Sequence, residues 1–422
     1  VVVGGGLLGL CCAYYLLEAG ADVTVVERGK VGDGASRFNA GMVTTCVTPL
    51  PAPGVVRDGV AGILGRGGAV CVSPLLSAGE VRFFTRFAGF CSAERYERGF
   101  AALLELNRDC YRLYDGLEQA GAVELEKNGY LVCCASAASA RACREEYSGM
   151  PPAVGRPGPI LEGAALREEE PALGGDGLAG FVHLDERWVD AATLVDGLER
   201  AVTQAGGVIV EGARVVAVEE DGAHAVARSS AGSVRADFAV IAAGVWSEDI
   251  TRAAGTRLGM LPGKGYSFSV GGGEPLRRLL YFDDAHVVAL PAGGRVRIAG
   301  TMEFDGTRDA FDRRRVEAMI RAVRPLLPGL DWSDVGGEWV APRPMTPDGL
   351  PVIGALPGSQ RVFVATGHNM LGLTLGPSTG KAIASLVCGA PPDVDLRAFA
   401  PGRFARRAGR RRTRRTPGEA RA

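Results

Sequence analysis

The chain opens Val1-Val2-Val3-Gly4-Gly5-Gly6-Leu7-Leu8-Gly9, and this opening restricts the fold more than any other stretch. Three β-branched residues read as a buried parallel strand. Leu10, Ala13, Tyr14 and Leu17 then recur at i, i+3, i+4 and i+7 of an amphipathic helix. Gly20 stops that helix, a second strand spans Asp22 to Val26, and Glu27 stands 18 residues past Gly9. Strand, glycine turn, helix, strand and acid in this order form the dinucleotide fingerprint. Gly4 permits the tight turn, Gly6 lets the backbone approach a pyrophosphate, and Gly9 lets helix and strand pack closely. The helix N-terminus offers unpaired N–H groups and a positive dipole end, and Glu27 is placed to accept hydrogen bonds from an adenosine ribose.

The fingerprint serves NAD and FAD alike. The segment Gly34 to Met42 favours FAD, because it is a small-residue polar loop suited to wrap the middle of an extended flavin dinucleotide. An NAD enzyme would run on into further regular βα units. Val1 stands inside the first strand, so a few native residues are expected ahead of it. The first 17 residues are uncharged, yet they lack a basic leader and fall short of the roughly 20 apolar residues of a span.

Composition narrows the chemistry. Of 47 basic residues four are lysine (Lys30, Lys127, Lys264, Lys381), so lysine chemistry has few candidates. The ten cysteines form no C-x-x-C and the four histidines are scattered, which points to a reducing, cytoplasmic setting and no metal site. The stretch after Phe404 carries eight Arg against one Glu, leaving the rest of the chain at about −8. A solvated, disordered tail is expected there, without nucleic acid as partner. Contact with anionic lipid, making the protein peripheral on the cytoplasmic face of the membrane, is the alternative.

Along the chain, residues 50–120 read as a helical insertion, with helical spacing over Glu80–Phe90 and Glu94–Ala120. A helix from Ala191 to Ala205 comes after Asp190. Gly207–Val210, Val215–Glu219, Ala223–Arg228 and Val234 read as a small meander with a turn at Asp221-Gly222. Phe238–Ala242 is a buried parallel strand abutting a cofactor, and residues 258–335 alternate as an antiparallel sheet before a helix from about Asp312 to Leu326. Val362–Ala365 is a strand, Gly367–Gly376 a glycine-punctuated loop, and Pro377–Cys388 a helix. The expected fold is α/β: a Rossmann-like FAD-binding domain assembled from residues 1–50, 185–257 and 336–400, beside an α+β substrate domain with a mainly antiparallel sheet from 51–184 and 258–335. Residues 401–422 form the tail.

With Gly4–Gly9, Ser36 with Asn39-Ala40-Gly41, Ala242–Ser247, Lys264–Ser267, Gly300–Glu303, Arg343-Pro344 through Asp348–Gly354, and Gly367–Thr374 in this order, the sequence resembles the flavoenzymes of the D-amino-acid oxidase and glycine/sarcosine oxidase superfamily. It is most similar to their bacterial D-amino-acid dehydrogenase branch, up to about Ala400. The resemblance implies noncovalent FAD bound by Gly4, Gly6, Leu8, Gly9, Glu27, Arg28, Ser36, Asn39, Ala40, Gly41, Val215, Ala243 and Gly244. The isoalloxazine would lie against Gly367, Leu371, Gly372, Leu373 and Thr374. Loop N–H groups and the N-terminus of the Pro377 helix would favour negative charge at the flavin N1–C2=O locus.

Arg343 lies between Pro342 and Pro344, which hold an extended, low-entropy backbone suited to present the guanidinium bidentately to a carboxylate. In the family a matching arginine clamps the substrate α-carboxylate; the bland alternative is an ion pair with Asp348 or Glu338. Tyr266 and His368 are lesser candidates for the substrate pocket, either of which could instead be structural. His286 is expected to be exposed, and Trp246 to pack near the pyrophosphate. The resemblance implies transfer of the Cα hydrogen of a D-amino acid as hydride to flavin N5, the imine hydrolysing to a 2-oxo acid and ammonia. D-proline or D-hydroxyproline would give a cyclic imine. Electrons would pass to a quinone or another respiratory carrier. A glycine/sarcosine-type oxidase using O2, whose relatives employ a lysine beside the flavin, and a noncatalytic flavin-binding protein are the alternatives.

Overall fold

The computed structural model describes residues 1–56, 70–73 and 75–404. Among them, six strands make one sheet in the order Val352–Ala355, Val362–Thr366, Ala239–Ile241, Val2–Val3, Thr24–Val26, Val208–Val210. All neighbours run parallel except the first pair. Its inner strands are buried apolar runs, as a parallel sheet covered by helices requires, while the edge strand Val208–Val210 is partly exposed. Leu7–Glu18 and Gly372–Val387 pack against each other on one face, where a Cβ at Gly380 would stand 2.6 Å from the backbone of Cys11.

A second sheet has nine strands among the described residues. Asp331–Met345 forms one edge, followed by Leu261–Gly271 and Arg295–Phe304, and the sheet continues through Val287–Ala292 and Leu279–Phe282 to Tyr130–Cys134 and Ala179–His183. Pairing is antiparallel except where Tyr130–Cys134 meets Leu279–Phe282 and where Val70–Val72 meets Arg295–Phe304. Alternation sorts its faces. Tyr266, Phe268, Val270 and Ile298 pack with Val316, Met319 and Val323 of the helix Arg313–Val323. Gly265, Ser267, Ser269, Arg297, Ala299, Trp339, Ala341 and Arg343 share the other face by register.

Several expectations need correction. Val208–Val210 joins the parallel sheet beside Thr24–Val26, and the meander begins only at Val215. An apolar triplet close to other strands reads as continuous with them; the preceding helix, Ala191–Gln204, instead returns the chain to the sheet it packs on. The expected helix Glu94–Ala120 is two, Ala93–Asn107 and Cys110–Gln119, with the buried Asn107 amide donating to the Thr44 carbonyl at the break. The last long helix starts at Gly372, five residues before Pro377, which lies inside it.

The expected boundary at 335/336 falls within the strand Asp331–Met345. The chain also stays packed past 400: Pro401–Phe404 forms a short turn with Pro401 and Phe404 buried, and Arg403 pairs with Asp348 at 2.7 Å. The rest of the expected tail lies outside the described residues. Among those residues no helix is long and apolar enough to cross a membrane.

Candidate active site

Close approach explains the first turn. Gly4 has φ +107° and its ideal Cβ would stand 2.7 Å from the Ala242 oxygen, while a Cβ at Gly9 would collide with the Gly4 carbonyl. Beside Gly6 only Ser36 Oγ comes near, 3.2 Å from an added Cβ, so that side of the turn stays open for a diphosphate. The helix enters at Gly6 with no side-chain cap, and Ser36 Oγ accepts instead from the N–H of Leu7 at 2.9 Å. Glu27 accepts from Gly5 N at 2.7 Å and Gly29 N at 2.9 Å, so its carboxylate first shapes the turn. Each oxygen keeps a second lone pair for a ribose hydroxyl. Leu8 is half-buried on the turn, and the exposed Arg28 stacks its guanidinium 3.4 Å over the ring of Trp246. Val215 is buried near Val3 and Val26.

In the loop after the second strand, Asn39 spends its side chain locally: Nδ2 donates to Ser36 O at 2.7 Å and Oδ1 accepts from Gly41 N at 2.8 Å. Gly41 is packed closely between the Val189 carbonyl and the large sheet, where an added Cβ would stand 2.7 Å from Leu290. Ala243 leads into the turn Gly244–Trp246, and the Gly244 carbonyl accepts from Thr366 Oγ1 at 2.8 Å.

Gly367 and Asn369 both take positive φ. Asn369 carries no role that its sequence context reveals, yet it stitches the loop: Oδ1 accepts from Thr346 N at 2.8 Å, Nδ2 donates to Gly367 O at 3.0 Å, and its N–H donates to Pro344 O at 3.2 Å. The loop is thereby tied to the strand one residue past Arg343. Leu371 is the N-cap of the long helix, and Gly372 and Leu373 form its uncapped first turn, so its positive end lies within the loop rather than beyond it. Thr374 Oγ1 donates to Met42 O at 3.2 Å and accepts from Thr44 N at 3.3 Å, linking the two loops.

Arg343 pairs with neither carboxylate considered from sequence. Asp348 is taken by Arg403 and Glu338 by Arg313. Among the described residues Arg343 forms no ion pair; Nη1 donates to the Thr301 carbonyl at 2.8 Å and approaches Met302 Sδ at 3.7 Å. Its guanidinium lies over Gly265, where any Cβ would collide with it. Loss of hydration draws the group down to about 10. Thr301 has φ +64°, a costly conformation for a β-branched residue, and it presents the carbonyl that orients Arg343.

Tyr266 and His368 are both buried and already partnered. Tyr266 faces the opposite side of the sheet, and its Oη donates to Glu303 Oε2 at 2.5 Å. Burial and that carboxylate push the phenol above its ordinary range. Glu303 is also held by Arg315 at 2.7 Å and Lys264 at 3.1 Å. His368 Nε2 lies 2.8 Å from Thr379 Oγ1 inside the long helix, and burial lowers the imidazole to about 3, keeping it neutral. His286 is exposed.

Three residues to which the sequence assigned no role share the face of Arg343. Ser267 Oγ, Arg297 Nη1 and Trp339 Nε1 are buried with no hydrogen-bond partner among the described residues. Trp339 lies opposite Ser267 and Arg297 opposite Ser269. Phe38 covers them, its ring 4.8 Å from that of Trp339 and 4.6 Å from the Arg297 guanidinium. Unsatisfied buried donors call for a partner, and a polar ligand between this face and the two loops supplies one. With the open Gly6 turn and the uncapped helix at Gly372, this donor-rich surface fits a flavin dinucleotide. Glu186 also has no sequence signal: fully buried, it accepts from Thr45 N at 3.0 Å, Thr45 Oγ1 at 2.5 Å and Tyr111 Oη at 3.1 Å, fixing the turn after Met42–Val43.

Comparison with known proteins agrees with this architecture. A family profile described as "DAO: FAD dependent oxidoreductase" matches residues 1–386. A D-amino acid dehydrogenase of Methylobacterium radiotolerans is 30% identical over 419 residues, covering 96% of this chain and 99% of the relative. D-amino acid dehydrogenase 2 of Ralstonia nicotianae is 30% identical over 424 residues, covering 95% and 99%. Among solved structures, glycine oxidase from Geobacillus kaustophilus superposes with a TM-score of 0.70 at 23% identity, covering 95% of this chain and 97% of that one. Iminodiacetate oxidase from Chelativorans superposes at 0.69 with 21% identity, covering 95% and 98%.

Proposed function

The chain belongs to the DAO family of FAD-dependent oxidoreductases, and we propose that within it the protein is a D-amino-acid dehydrogenase whose Arg343 holds the substrate α-carboxylate. The carrying observation is the guanidinium itself: largely enclosed, unpaired with any carboxylate among the described residues, and aimed by the Thr301 carbonyl. A buried arginine without an anion is a costly arrangement, which a bound carboxylate relieves through a bidentate pair. The names of the two relatives support the choice of D-amino acids.

FAD would be held without a covalent bond by the Gly4–Gly9 turn, Glu27, Arg28, Ser36, Asn39–Gly41, Val215, Ala243-Gly244 and the loop Gly367–Thr374. The chemistry FAD supplies when bound is acceptance of a hydride from the substrate α-carbon at N5. This chain's residues provide orientation. Arg343 fixes the carboxylate at one end of the sheet face, the tie from Asn369 to Pro344 holds the cofactor loop against that strand, and Phe38 with Trp339 excludes water. Neither His368, neutral and bound to Thr379, nor Tyr266, hydrogen-bonded to Glu303, is needed to move a proton when the amine enters neutral. D-proline or D-hydroxyproline are proposed among the substrates, with a quinone or respiratory carrier as acceptor.

Anaerobic mixing of the purified yellow protein with a panel of D- and L-amino acids tests the reading. Bleaching of the visible flavin bands by D-amino acids, with 2-oxo acid or cyclic imine formed, is expected. Bands that no amino acid bleaches would refute the activity, and bleaching by L-isomers alone would refute the stereochemistry.

A further inference from the structure

We propose that Cys134, Cys143 and Asp283 form a binding site for a thiophilic divalent cation of the zinc class. The two sulfurs and a carboxylate oxygen all lie within 4.8 Å of one another. Bonds of about 2.3 Å to sulfur and about 2.0–2.2 Å to oxygen place tetrahedral donors roughly 3.5–3.8 Å apart. Closing onto an ion therefore asks for side-chain movement of about an ångström or less.

The fold builds this triangle on rigid parts. Tyr130–Cys134 and Leu279–Phe282 pair in parallel with Cys133 opposite Phe282, and Asp283 N donates to Cys133 O at 3.0 Å. Cys133 and Phe282 point into the core beneath the helix Arg313–Val323, so alternation turns Cys134 and Asp283 together to the opposite face. The helix Ala137–Ser148 covers that face, anchored two residues beyond Cys134 by the Ser136–Ser139 capping box. Its positions Ala140, Cys143 and Tyr147 fall on one side and all pack there, which brings Cys143 over the other two.

The three groups are poorly matched to one another without a cation. Two thiols and a carboxylate face one another there within 4.8 Å. Thiols are weak donors, and among the described residues the half-buried Asp283 forms no ion pair. Cys134 is fully buried while Cys143 and Asp283 are only half-buried, so an ion has a way in and water can fill a fourth position. The site lies several strands along the sheet from Arg343, the apolar cluster around it reaches Ala40 and Met42, and its occupant would pin the helix Ala137–Ser148 to the sheet.

Cadmium titration of the FAD-loaded protein tests this, read by the ultraviolet thiolate-to-cadmium absorption and by metal content after gel filtration. One cadmium per chain is expected, with affinity rising as pH rises because the thiols must release protons. C143S and D283N should each weaken binding at least about tenfold, and C388S, at an exposed cysteine elsewhere, should not. Zinc should raise the Tm of the parent and not of C143S. Unaltered visible flavin bands in the variants show that they are folded. Cadmium bound equally well by C143S and D283N, a parent that retains none, or recovery of Cys134 and Cys143 as a disulfide would overturn the site.

Discussion

Tyr114 Oη donates to the carbonyl of Leu373 at 2.7 Å, and this is the carbonyl that Pro377 deprives of its intrahelical N–H four residues on. The next carbonyl, Thr374, is met by Cys110 Sγ at 3.3 Å. One turn of the helix Cys110–Gln119 thus completes the first turns of Gly372–Val387, and a proline that ordinarily ends a helix sits within one.

Tyr114→Phe should therefore cost about 1–3 kcal/mol, the penalty of a buried carbonyl left without a donor. In a Pro377→Ala background, where residue 377 regains an N–H, the same change should cost less than half as much. Denaturant unfolding of the four proteins of this cycle measures the coupling. Equal costs in both backgrounds would show that the phenol does not replace the missing donor.

The two glycines of the first turn should separate under substitution. Gly9→Ala forces a Cβ into the Gly4 carbonyl and should destabilise the protein by about 4 kcal/mol or more. Gly6→Ala meets only Ser36 Oγ, so the fold should survive while affinity for FAD falls at least about tenfold. Circular dichroism and flavin retention on gel filtration distinguish the outcomes; a Gly6→Ala protein that keeps FAD as tightly as the parent removes the diphosphate from that turn.

Arg343→Ala should weaken amino-acid binding by about 2–5 kcal/mol, as expected when one partner of a buried charge pair is truncated, with FAD still bound. Arg343→Lys should recover little, since an ammonium lacks the two-pronged geometry. Anaerobic titrations of flavin bleaching provide the measurement, and unchanged substrate affinity in either variant would make Arg343 a structural residue.

His368 predicts a slope in stability against pH. Its folded value near 3 lies below the ordinary 6.5, so the unfolded chain binds the proton more readily. The contribution is complete above about pH 6.5 and is lost as pH falls toward 3, by up to about 1.4 kcal/mol per pH unit. His368→Asn should flatten the profile between about pH 6.5 and 4 in denaturant unfolding. An unaltered slope would mean that the imidazole is not the buried neutral base described.

The acceptor is open to stopped-flow measurement. Lys264, the lysine nearest the candidate site in sequence, spends its ammonium on Asp305 at 2.7 Å, Ala310 O at 2.7 Å, Thr307 Oγ1 at 3.1 Å and Glu303 at 3.1 Å. The strand Arg295–Phe304 contains no lysine. Substrate-reduced protein is therefore expected to reoxidise slowly in air and quickly with a quinone. Oxygen matching or outrunning the quinone would make the protein an oxidase.

The sequence determined what short-range chemistry can specify. The turn at Gly4–Gly9, the helix after it, Glu27, the polar loop at Ser36–Gly41 and the alternating strands were legible because glycine, apolar period and turn residues act within a few positions of themselves. The family, and with it FAD, came from their order. Tertiary structure decided what depends on partners distant in the chain. Pro377 reads as a helix start until Tyr114, more than 250 residues earlier, supplies the donor it lacks. An ion pair of Arg343 with Asp348 stays open as the alternative reading until Arg403 is seen to hold that carboxylate. Asn369, Ser267, Arg297 and Trp339 have roles that no local pattern assigns, and Cys134, Cys143 and Asp283 match no spacing rule because two strands and a helix assemble them. A hydrogen bond or an ion pair is set by geometry in space, and only the fold says which of several chemically acceptable partners comes within reach.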